Sequence, residues 1–158
     1  MNLIRLMAMV LLLQALGITF LAAAEPDRRT CQRLARTYFK MPLRQTITEF
    51  TSHTLPEQYA IYICGNQYMH PPALHLAAPF ASEGASAAAL LHTKLAVASD
   101  DLTIRDIVRV FAEMKRLHSY DVASDRELMS LMERKSKAVS SAYWRNYVAS
   151  AISDIEKP

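Results

Sequence analysis

The residues with reactive chemistry gather around one stretch, ICGNQYMHPPALH, at positions 63–75. It carries Cys64, His70 and His75, with Glu57 upstream and Glu83 downstream. Two imidazoles and a carboxylate suit general acid–base hydrolysis when they converge within hydrogen-bond reach. His70, His75 and Glu83 therefore form the candidate active site of a small hydrolase, with Glu57 as the alternative carboxylate. No Gly-x-Ser-x-Gly elbow or other nucleophile motif accompanies them. His70 and His75 stand five apart across Pro71-Pro72, which is neither a helical i, i+4 pair nor a zinc-finger spacing. No metal site is expected. Glycine-rich phosphate loops are also missing, so no cofactor is expected. Asp100, Asp101 and Asp106 are further carboxylates, but they fall where helix N-terminal caps belong and are read as caps.

Cys64 has one possible partner, Cys31. In an exported chain two cysteines point to one disulfide rather than two thiols. Export is suggested by residues 1–24. Arg5 supplies a positive start, Leu6 to Leu13 an apolar core, and Ala22-Ala23-Ala24 a small-residue cleavage site. The competing reading is a retained anchor, because Leu6 to Ala24 approaches the length of a membrane span. Arg28, Arg29, Arg33, Arg36 and Lys40 follow closely, and positive charge resists translocation. The expected organisation is a signal peptide over 1–24 and a single all-α domain over 25–158. The expected location is periplasmic or secreted.

Removing 24 of 158 residues leaves 134, enough for one hydrophobic core. It also lowers the net charge from +3 to +2 by removing Arg5, which gives no ground for nucleic-acid binding. Of three glycines only Gly65 and Gly84 lie beyond the leader, and no Asn-Gly or Asp-Gly hairpin turn appears. Helical patterns recur instead. Cys31, Leu34, Ala35 and Tyr38 form an apolar stripe, opposite the cations Arg29, Arg33, Arg36 and Lys40. Pro42 opens a short helix with Leu43, Ile47 and Phe50 on one face. Thr54-Leu-Pro-Glu57 is a capping-box pattern, predicting a helix over Leu55 to Met69 despite its β-branched and aromatic residues.

Pro71-Pro72 ends that helix. A further one runs from Pro72 to Phe80 with a kink or stop at Pro79, and Gly84 suits a left-handed cap. Ser86 to Ala98 reads as an alanine-rich helix. Thr103-Ile-Arg-Asp106 reads as the cap of a helix with its stripe at Ile104, Ile107, Val108, Phe111, Met114 and Leu117. After a break at Tyr120-Asp121 comes one long final helix, bending near Ser140-Ser141. The expected fold is a compact all-α bundle of six or seven helices in successive hairpins with one disulfide. No fixed-period repeat appears.

Two surfaces are candidates for binding. The basic face Arg29/Arg33/Arg36/Lys40 suits an acidic protein, an anionic membrane surface or an envelope polymer. Tyr59 and Tyr62, with Ile63, point away from Cys64 and form either a contact patch or the buried side of an enclosed helix. The leading functional expectation is an exported, non-enzymatic protein that binds another protein as an adaptor, chaperone-like or inhibitor-type module. The small hydrolase and a peripheral membrane protein are the alternatives.

Overall fold

A computed structural model describes residues 25–157, so the expected leader lies outside the described residues. Eight α-helices follow in order: α1 Arg28–Arg36, α2 Leu43–Ser52, α3 Leu55–Tyr68, α4 Ala77–Ala81, α5 Gly84–Val97, α6 Asp101–Leu117, α7 Arg126–Ala138 and α8 Ala142–Glu156. Short 3-10 turns occupy Tyr38–Lys40 and Leu74–Leu76. The fold is all-α, and the expected final helix is divided in two, so the helices among the described residues number eight rather than six or seven.

The strongest amphipathic pattern makes the central helix. Ile104, Ile107, Val108, Phe111 and Met114 of α6 are all essentially inaccessible. Through them α6 touches α3, α4, α5, α7 and α8, most extensively α8 and α4. The bundle is therefore organised around one helix rather than as a chain of sequence-adjacent hairpins. The stripe stops at Met114; Leu117 is partly exposed at the helix end. There His118 takes a left-handed φ of 53° and closes a Schellman turn, with the Ser119 N–H donating to the Met114 carbonyl at 3.1 Å.

Local caps account for most helix starts. The side chains of Asp27, Asp100 and Asp125 accept the N–H groups of Thr30, Thr103 and Leu128 at 2.7, 2.8 and 3.0 Å. Glu57 accepts both the N–H and the hydroxyl of Thr54, at 2.9 and 2.7 Å, which fixes the start of α3. The final helix is split for a tertiary reason. Asp101 accepts the N–H groups of Ser140 and Ser141 at 2.9 and 2.8 Å, holding that segment out of helix. Pro72 does not open a helix; the chain turns through Leu74–Leu76 first. Pro79 then falls in the first turn of α4, where a missing donor breaks nothing. Gly84, the first residue of α5, is left-handed (φ 60°), while Ser82 caps the end of α4, and a Cβ at Gly84 would stand 2.9 Å from the Ser119 carbonyl oxygen.

The disulfide Cys31–Cys64 ties α1 to α3, with both cysteines buried. One residue along, Gly65 accepts the Ala73 N–H at 3.0 Å through its carbonyl and lets two neighbours approach closely. A Cβ at position 65 would meet the Ala73 Cβ at 2.7 Å and the Phe39 ring at 2.8 Å. Phe39 thus packs against α3. Gly65→Ala should therefore lower stability by about 1–3 kcal/mol, the usual cost of overpacking. Its helix propensity alone would raise stability by about 1 kcal/mol. Urea denaturation decides between them, and a stabilised variant would remove the packing account of this glycine.

Candidate binding groove

The residues singled out for hydrolysis do not assemble. His70, His75 and Glu83 are all exposed. Among the described residues no hydrogen bond or ion pair joins them, and Glu83 instead accepts from Gln58 Nε2 at 3.3 Å. Desolvation of its ring lowers the pKa of His75 although the residue is exposed overall. The Pro71-Pro72 corner turns this stretch along the surface, linking α3 to α4. No group of three or more His, Cys, Asp or Glu side chains among the described residues is arranged to hold a metal.

Tyr59 and Tyr62 are not a contact patch, because α3 is enclosed on most of its circumference. Tyr62 is fully buried and donates to the Asp106 carbonyl at 3.0 Å, while its ring meets Phe80 edge-on. Tyr59 is 1% exposed and donates to Glu25 at 2.7 Å. The buried Lys94 ammonium lies 4.7 Å above the Tyr59 ring and 4.0 Å from Glu25. Burial, with the Glu25 carboxylate next in weight, raises the Tyr59 phenol.

A second polar cluster sits between α3, α6 and α8. Asp106 is fully buried and is not a cap; Asp100 has that role. Its carboxylate accepts from Arg105 at 2.6 and 2.8 Å and from Gln67 at 3.4 Å. Burial pushes Asp106 up to about 6, with Arg105 opposing the shift. The Arg105 guanidinium also covers Trp144 at 4.4 Å, and Arg109 donates to the Tyr147 hydroxyl at 3.0 Å. Asn66, 5% exposed, has no hydrogen-bond partner for either amide atom among the described residues. These groups join α3, α6 and α8.

The basic face behaves differently. Arg29, Arg33 and Arg36 are exposed along α1. Lys40 is exposed too, but it belongs to the 3-10 turn, because α1 stops at Arg36, so the four cations do not share one helical face. Arg33 also lines an open groove of about 500 Å³ between α1, the turn after it, α2 and α3. Thr30, Arg33, Leu34 and Thr37 form one wall. Tyr38, Met41, Ala60 and Ile61 form a largely apolar floor, and Glu49, His53 and Glu57 form the far bank.

Each element of the groove has a local cause. The i, i+3, i+4, i+7 spacing of Thr30, Arg33, Leu34 and Thr37 puts them on one side of α1. The disulfide holds that helix against α3. Tyr38 is anchored by its hydroxyl, which donates to the Thr46 carbonyl at 2.6 Å, and burial pushes its pKa up to about 12. The two bonds from Thr54 keep Glu57 ionised to lower pH than usual. His53 Nδ1 is 3.7 Å from Glu57, an ion-pair distance beyond hydrogen-bond reach. Thr37 spends its hydroxyl on the Arg33 carbonyl at 3.0 Å. The lining thus offers apolar contact and charge. His53, Met41 and Glu49 carry no sequence motif; three separate segments must fold before they meet.

Among the described residues no helix is long and apolar enough to cross a membrane. No family model, curated protein or solved structure matches the chain.

Proposed function

We propose that this is an exported, non-enzymatic binding module that docks a segment of another protein in the α1–α2–α3 groove. The observation that carries the reading is the groove itself: an apolar floor rimmed by charged side chains, the usual composition of a recognition site for a peptide segment. A structural disulfide suits the oxidising compartment that export implies. Cleavage after Ala24 would leave Glu25 as the first residue, already engaged by Tyr59. The hydrolase alternative has less support, since its three residues are dispersed over exposed surface.

Filling the floor tests the reading. Ala60→Trp should cut partner recovery from a native envelope extract by about tenfold or more, as loss of a buried contact at the centre of an interface does. Tyr143→Ser, on the exposed surface of α8, should leave recovery unchanged. Equal recovery by all three forms would remove the groove from the binding function.

A further inference from the structure

We infer that the segment taken by this groove is acidic and amphipathic, held along the α1 bank by Arg33 and the cations beside it. This rests on the docking reading above and adds the chemistry of the partner. Positions 28–44 contain Arg28, Arg29, Arg33, Arg36, Lys40 and Arg44 and no carboxylate. All six cations are exposed, and among the described residues none of them forms an ion pair. The nearest acid in sequence, Asp27, is committed to the Thr30 N–H as a cap.

Across the groove Glu49 and Glu57 both keep their negative charge, hydrogen-bonded or not, so the excess of cations is confined to the α1 side. The field over the α1 side is therefore positive, and it would attract a chain whose carboxylates run along that edge. The apolar face of such a segment would lie on Tyr38, Met41, Ala60 and Ile61. An anionic bilayer is the weaker fit. The apolar surface here is recessed between helices, whereas insertion into headgroups needs it to project.

Panning a random short-peptide library on phage against the oxidised protein tests this directly. Selected peptides should combine Asp or Glu with large apolar residues. Their affinity should fall about tenfold or more in the Arg33→Glu/Arg36→Glu variant and weaken as salt rises. Ala60→Trp, or Thr37→Trp at the exposed rim should the first variant misfold, should abolish their binding. Neutral or basic peptides that are lost only on blocking the groove would overturn the acidic partner and leave the docking reading standing. Peptides indifferent to the blocking variants, or no enrichment at all, would overturn both. Binding of phosphatidylglycerol vesicles with the same dependence on Arg33 and Arg36 would reassign the cations to a membrane surface and overturn the inference.

Discussion

Replacing Cys31 and Cys64 together with alanine lowers stability by about 3–4 kcal/mol. That is the chain-entropy value for opening a loop of roughly this length. The loop runs from Cys31 to Cys64, a separation of 33 residues. The effect concentrates on α1, because Cys31 is the one residue of that helix that is fully buried. A nine-residue helix has almost no stability of its own in water. Without the crosslink, α1 keeps no large buried side chain, and its half-buried Leu34 is what packs against the core. Hydrogen exchange over residues 28–36 should therefore rise in the variant before the core helices lose protection. The groove should lose its Arg33 wall at the same step. Dithiothreitol should reproduce both effects in the native protein. An unchanged urea midpoint, with α1 still protected, would mean that side-chain packing alone docks this helix.

Arg105→Met is the second large effect, and its size depends on pH. At pH above 7 the substitution leaves the Asp106 carboxyl buried without its cation, and the group protonates rather than stay charged, so the pH-dependent cost is capped at about 2 kcal/mol at pH 7.5. The sign follows from linkage. The folded pKa of Asp106, about 6, lies above its ordinary value of 3.8. Its contribution to stability is full below about pH 4 and is lost as pH rises through 6. Removing Arg105 raises the folded pKa further, so the penalty grows toward neutral pH and shrinks toward pH 5, where the acid is largely neutral in the fold. The residual loss at low pH reflects the contact with Trp144, about 0.5–1 kcal/mol. Urea titrations at pH 5 and pH 7.5 read the difference. Adding Asp106→Asn should restore much of the loss at the higher pH. A penalty independent of pH would mean that Arg105 acts through packing and not through charge.

Local and strongly periodic features were legible before folding was considered. The α6 stripe, the Thr54–Glu57 start of α3, the Cys31–Cys64 pairing and the Pro71-Pro72 corner each depend on neighbours in sequence or on a forced choice of partner. The misreadings share the opposite property. Thr103 to Asp106 has cap spacing, yet the burial of Asp106 comes from α3 and α8, including Gln67, 39 residues away. The final helix carries no strong breaker, and its division depends on Asp101 reaching Ser140 and Ser141. Tyr59 and Tyr62 had two readings on periodicity alone, and Glu25, Lys94 and Phe80 decide for burial. The groove left Arg33, Leu34, Tyr38 and Glu57 as separate traces, read for different reasons, because its floor and banks come from three segments.

Site-specific photo-crosslinking from position 37, at the groove rim, tests the central claim most directly. A crosslinking residue at Thr37 in the oxidised protein, in its native compartment, should give one discrete adduct with another protein. The adduct should vanish in the Ala60→Trp background, and the same residue at exposed Tyr143 on α8 should give none. Strong adducts from Tyr143 with none from Thr37 would contradict the account and place the binding surface elsewhere on the bundle.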